Sequence, residues 1–269
     1  MSASRLNLKN WIIFFGLLGA TVVTTYIAGG FLFSLFLLLI LGTHEFGHYW
    51  ASRRNNVKAS LPYFIPAPPI FIAGTFGAFI QIKELIPNRR ALMEIGAAGP
   101  IAGFVVAVPV LILGLFLSDT TPADPVYGIS FGSSIILAGL SKLILGVTPL
   151  STEVNIQLHP IAFAGWIGMF VTALNLLPIG QLDGGHIMYA LFKGRYHFFA
   201  KLFFILLFPL GYFWHGWLFW AFMIALVGFR PAPLVDESIL PDRRHRVMGY
   251  ISIAIFLLTF IPVPFVIIN

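Results

Sequence analysis

The chain has 269 residues, of which 58% are hydrophobic and 10% charged, with a formal net charge of +6 and no cysteine. An average soluble domain is about 25% charged, so this composition, with a mean hydropathy of +0.92, excludes a water-soluble globular protein and indicates a polytopic membrane protein. The missing cysteines exclude disulfide frameworks, cysteine nucleophiles and thiolate metal sites together, which leaves histidine and carboxylate as metal ligands.

Arg5 and Lys9 precede an apolar run over 11–23 that has the look of a signal sequence. Tyr26 occupies the −3 position for cleavage after Ala28, a poor context, so the segment is read as a retained signal-anchor helix. A span needs about 20 largely apolar residues. The first predicted span covers 11–28 and breaks at Gly29-Gly30; the second covers 31–51. Residues 31–42 carry no charge, and then His44, Glu45 and His48 arrive within five positions. Ionisable groups at that depth cost roughly 2.5–3.5 kcal/mol each on insertion scales, so they mark function by default. Positions i and i+4 share a helix face, so His44 and His48 can point at one metal with Glu45 within reach of a metal-bound water. A surface accident, the usual origin of H-E-x-x-H in a soluble helix, fits poorly here.

Residues 52–60 are polar and basic. In 61–83, Pro62, Pro66, Pro68 and Pro69 forbid a continuous helix, while the Phe-, Ile- and Gly-rich remainder suits short strands with a tight turn near Gly74. Non-helical backbone at membrane depth must be buried or line a wet cavity. The segment is therefore read as a re-entrant β-element near the active site, with Gly74, Thr75, Phe76 and Gly77 as candidate substrate-binding residues. An apolar loop on the membrane surface is the alternative.

The third span, 91–117, holds Gly99 and Gly103 as a small-xxx-small pair, a helix-packing signal. The connection 118–158 contains Asp119, Asp124, Glu153 and a middling apolar piece, 131–147, with Lys142. The fourth span, 160–178, ends in Asn175-Leu176-Leu177-Pro178-Ile179-Gly180-Gln181-Leu182-Asp183-Gly184-Gly185-His186, and a short apolar helix follows to Phe192. Aromatic-rich spans at 197–213 and 215–229, a basic linker over 230–246 and a last span at 248–267 complete an all-α polytopic membrane protein of about six to seven transmembrane helices. If 131–147 lies on the surface, every Lys and Arg except Lys142 falls on one side. The positive-inside rule then makes that side cytoplasmic, and the net charge is explained without nucleic acid.

Asp183 is a carboxylate in an apolar region. Taken alone, it serves as well for an N-cap of 184–192 as for a ligand. With His44 and His48 at matching depth it completes a two-histidine, one-carboxylate set that leaves a fourth position open. Glu94, near Arg89 and Arg90, reads as an interfacial ion pair, and His186 as a structural or interfacial histidine ahead of a further ligand.

These motifs resemble the site-2 proteases, zinc metalloproteases that cut within the membrane. His44-Glu45-Phe46-Gly47-His48 matches the family's H-E-x-x-H, and Asn175-x-x-Pro178 with Asp183-Gly184 matches N-x-x-P-x-x-x-x-D-G. The resemblance covers about 30–195. It implies one zinc per chain on His44, His48 and Asp183, Glu45 as general base and acid, and Asn175 as a holder of substrate or oxyanion, although interhelical bonding is the alternative for Asn175. It also implies a transmembrane protein substrate and the lipid bilayer as partners. One integral membrane protease domain is expected over 1–269, with its core at about 30–195 and additional transmembrane helices over 196–269. No hydrophilic insert large enough for a PDZ domain is present, so the chain is similar to the compact group found in archaea and in the plant chloroplast branch. The expected location is a prokaryotic cell membrane, with a plastid membrane as the alternative and the N-terminus and active site facing the cytoplasm. A metal-ion transporter would call for polar sites in series and internal repeats; a catalytically dead scaffold would not retain Glu45.

Overall fold

The computed structural model describes residues 8–68, 70–122, 128–149, 151 and 154–268. Arg5, Pro69, Asp124 and Glu153, which enter the sequence reading, lie outside the described residues. The architecture is mostly helical. Three helical stretches among the described residues are long and apolar enough to cross a membrane: Leu8–Arg54, Arg89–Phe116 and Asp183–Phe213.

Helix α1 (Leu8–Arg54) is two helices joined at Gly30, whose φ of 80° and ψ of −177° suit glycine and few other residues. Thr25 Oγ1 lies 2.6 Å from Ser34 Oγ, and Ser34 Oγ donates to Val22 O at 3.4 Å. In a straight helix, residues nine and twelve apart would be separated by about 14 and 18 Å. The chain therefore doubles back, so that 8–29 and 31–54 run antiparallel, with the break where the sequence places Gly29-Gly30.

Strands β1 (Tyr63–Pro66) and β2 (Thr75–Phe79) pair antiparallel in the register Tyr63↔Phe79 and Phe64↔Ala78. The pairing continues towards the base through Ser60 N to Gln81 O and Lys83 N to Lys58 O. Gly74, with φ 64°, sits where a Cβ would lie 2.5 Å from Thr24 O, so the hairpin tip packs directly on the first half of α1. Strand β3 (Ile86–Asn88) leads into α2 (Arg89–Phe116), capped by Asn88, whose side chain accepts from Arg90 N and Ala91 N. Arg89 is buried and donates through Nε and Nη2 to Ala190 O, at 3.1 and 2.7 Å.

At the far end of α2, β4 (Asp119–Pro122) pairs with β6 (Val154–Gln157) in the register Asp119↔Gln157 to Pro122↔Val154. Between them lie β5 (Gly128–Phe131) and α3 (Ile135–Leu145). The segment thus returns to the end of the bundle it left. An 11-residue helix is about 16 Å long, well short of a ~30 Å hydrocarbon core.

Helices α4 (Pro160–Asn175) and α5 (Asp183–Phe192) follow, then α6 (Tyr196–Phe213), α7 (Gly216–Val227), β7 (Leu234–Asp236), which pairs parallel with β3, and α8 (Arg243–Thr259). The last predicted span, 248–267, is helical only to Thr259. Pro262 and Pro264 end it, and β8 (Phe265–Ile268) pairs with β5. Trp166 Nε1 donates to Gly132 O and Trp217 Nε1 to Pro262 O, which fastens this end of the bundle.

Candidate metal centre

The second half of α1 places His44 and His48 one turn apart, both buried. Asp183 arrives from α5. It is the first residue of that helix; the N-cap position belongs to Leu182, which makes no side-chain cap. The carboxylate of Asp183 is therefore not spent on capping. Its Oδ2 stands 3.3 Å from His44 Nε2 and 3.2 Å from His48 Nε2, and the two nitrogens are 3.0 Å apart. Tetrahedral coordination at about 2.0–2.2 Å separates ligand atoms by about 3.3–3.6 Å, so this triangle fits a single small ion to within a few tenths of an ångström. It is the one such cluster of metal-ligating groups among the described residues.

The donor chemistry agrees with the geometry. His48 Nδ1–H donates to Ile95 O at 2.7 Å, which fixes the tautomer and leaves the Nε2 lone pair free for a metal. Ile95 precedes Gly96, whose carbonyl has no helical donor because Pro100 stands four residues on. Glu45 is buried beside the triangle, and its carboxylate accepts the backbone N–H of Ile80, so it is held between the metal ligands and β2. Asn175, the last residue of α4, points Nδ2 to within 3.4 Å of His44 Nε2.

Helix α2 closes the site from behind. A Cβ on Gly99 would overlap the His48 ring, and one on Gly103 would come within 3.2 Å of His44 Nδ1. A Cβ on Gly47 would lie 2.5 Å from Ala98 O. The small residues read in the sequence as helix packing thus pack on the imidazoles of the candidate metal cluster. Spacing alone marks a close approach; it does not say what approaches.

These groups line a cavity of about 190 Å³, walled by Ala78, Phe79, Ile80 and Ile82 on the β-element side and by Gln181, Leu182 and His186 on the other. The structure brings His44, Glu45, His48, Asn175 and Asp183 together. It places Gly74, Thr75, Phe76 and Gly77 towards the hairpin tip, outside the cavity lining; Thr75 Oγ1 there bonds Ile65 O and Gly77 N. Glu94 does not pair with Arg89 or Arg90. Asn55 Nδ2 donates to it at 2.8 Å, and its other oxygen lies 3.4 Å from His245 Nε2, which joins α1, α2 and α8.

A two-histidine, one-aspartate cluster with a buried glutamate beside it, on helices apolar enough to cross a bilayer, defines a membrane-embedded metalloprotein. The sequence model of peptidase family M50 matches residues 32–208, and the chain belongs to that family, the site-2 protease family. It is 31% identical over 235 residues to the probable zinc metalloprotease EGY2, chloroplastic, of Arabidopsis thaliana, covering 86% of this chain and 42% of that protein. It is 32% identical over 232 residues to the protein of the same name from Oryza sativa subsp. indica, covering 84% and 41%. With the probable zinc metalloprotease EGY1, chloroplastic, of Arabidopsis thaliana it shares 40% identity over 153 residues, 55% of this chain and 27% of that protein. The chain therefore spans less than half the length of these curated relatives. No solved structure matches it.

Proposed function

We propose that the protein is a zinc metalloendopeptidase that cleaves transmembrane protein substrates within the bilayer. The observation that carries this reading is the triangle of His44 Nε2, His48 Nε2 and Asp183 Oδ2 with Glu45 beside it. The relatives' names supply zinc as the metal, and the single cluster among the described residues gives one site per chain. Zinc held there would provide Lewis acidity, lowering the pKa of a water towards about 7 and polarising the scissile carbonyl.

The chain's own residues do the rest. The Glu45 carboxylate takes a proton from the attacking water as the new C–O bond forms, then delivers it to the amine nitrogen as the C–N bond breaks. Asn175 Nδ2 donates to the carbonyl oxygen as charge develops there. A helical substrate must unwind before its amides can be reached. Gln81 and Lys83 bond towards the β1 arm, so the alternate residue Ile82, and Ala78 by the same alternation, turn their backbone groups towards the cavity, while the N–H of Ile80 between them is taken by Glu45. Adding the unwound segment to this edge as a strand satisfies its freed amides and extends it past the metal ligands. Gly74, Thr75, Phe76 and Gly77 would continue that edge towards the tip. The β-element is re-entrant on this reading, entering from the basic side to reach Thr24 and Thr25.

We place the whole chain, 1–269, in one membrane domain of six to seven crossings, with a catalytic core at about 30–195 and C-terminal helices added to it. The basic side, with the N-terminus and the metal centre, faces the cytoplasm of a prokaryotic cell. A plastid membrane is the second reading, favoured by the chloroplastic relatives.

The test is reconstitution of the protein with a panel of single-span substrates, compared with Glu45→Gln by mass spectrometry. Cleavage inside the span, lost in Glu45→Gln and on chelation while the variant still binds zinc, is the expected result. Ion flux across the bilayer without bound zinc would replace this reading with a transporter.

A further inference from the structure

His186 follows Asp183 by three positions on α5 and so shares its helix face. It lines the same cavity as Glu45 and Asn175 but stands outside the metal-binding cluster. The approach of α2 fixes its position: a Cβ on Gly96 would lie 3.0 Å from His186 Cβ. Its Nδ1 is fully buried and has no hydrogen-bond partner.

That orphaned nitrogen decides the tautomer. A proton on Nδ1 would be a buried N–H without an acceptor, the costlier of the two ways to leave a ring nitrogen unpaired. The neutral ring therefore carries its proton on Nε2. The residue is only partly buried although Nδ1 is fully so, and the opening it lines is the cavity. Nε2–H is thus a donor presented to whatever occupies the cavity, with no protein acceptor claiming it.

We propose that His186 is a substrate-binding residue, whose Nε2–H donates to a backbone carbonyl oxygen of the peptide held between α5 and the β2 edge. The two walls of the cavity then divide the work. The strand edge pairs with substrate amides along one side, and His186 and Asn175 hold carbonyl oxygens on the other. This rests on the protease reading for the identity of the occupant, a peptide.

The experiment compares His186→Leu, which removes the donor, with His186→Gln, whose amide restores one at similar reach. Zinc content is measured for each, together with kcat and KM on a cleaved single-span substrate. The expected result is full zinc occupancy in both, kcat/KM lowered about 100-fold in His186→Leu, and recovery of at least about 10-fold in His186→Gln. Loss of zinc in both variants, equal losses of kcat/KM in Leu and Gln, or unchanged kinetics would each overturn the proposal. Should the wild-type protein cleave none of the panel, the protease reading fails on its own. His186 is then judged by photocrosslinking of a single-span peptide to the Glu45→Gln protein. Weaker crosslinking with His186→Leu than with His186→Gln supports it, and equal crosslinking overturns it.

Discussion

An imidazole aimed at a metal site is only as well placed as the atoms behind it, and at His48 those atoms face a glycine. The Cβ of Gly99→Ala would overlap the imidazole. The opposing α2 backbone is held by its own helix, so the ring is what must yield, and it carries both the Nδ1 bond to Ile95 O and the Nε2 ligand. Overpacking of this kind costs about 1–3 kcal/mol. We expect Gly99→Ala to lower zinc affinity by at least about 10-fold, with cleavage lost in proportion, whereas Gly103→Ala, with 3.2 Å to His44, has a smaller effect. Equilibrium zinc titration against a competing chelator measures both; equal, near-wild-type affinities would refute the argument. Gly99 also marks how far sequence reading reaches. The clustering of His44, His48 and Asp183 was legible because ionisable groups in an apolar run are too costly to sit there without a function. The glycine's service to a histidine was not, because nothing in its spacing names the facing side chain. Asp183 sits between these cases: in sequence an acid at a helix start reads equally as a cap, and only its position as the first helical residue, past Leu182, frees it for a metal.

At the scale of elements, the β1–β2 hairpin is the part whose existence was legible and whose cavity-lining residues were not. Proline and glycine content announced strands and a turn. Which stretch of the arm that holds β2 meets the cavity depends on how deep the tip lodges against Thr24 and Thr25, a tertiary contact that moves the lining on to Ala78, Phe79, Ile80 and Ile82. Ala78→Pro removes an amide that points away from β1, so the hairpin ladder survives while one hydrogen bond to an added strand is lost. We expect cleavage to fall about 10-fold or more with zinc content unchanged, and Ala78→Gly, which keeps the amide, to stay within about 3-fold of wild type. Full activity of Ala78→Pro would dispose of strand addition at that position.

For the whole molecule, sidedness follows from strand pairs as well as from charge. Strands β3 and β7 join the basic ends of α2 and α8, while β4–β6 and β5–β8 gather at the opposite end with the turn of α1 at Gly30. Because β4 and β6 lie in register, the segment carrying α3 must leave and return at one end, and its length forbids a crossing in between. On the proposed topology Lys142, on α3, lies across the bilayer from Arg53 at the end of α1 and Arg243 at the start of α8. The absence of cysteine makes this testable without background. Single cysteines placed at Arg53, Lys142 and Arg243 in oriented vesicles should react with an impermeant maleimide from opposite faces. Positions 53 and 243 should label together, and 142 only from the other side. Labelling of all three from one face would break the link between the strand pairs and the charge distribution, and with it the assignment of the metal centre to the basic side.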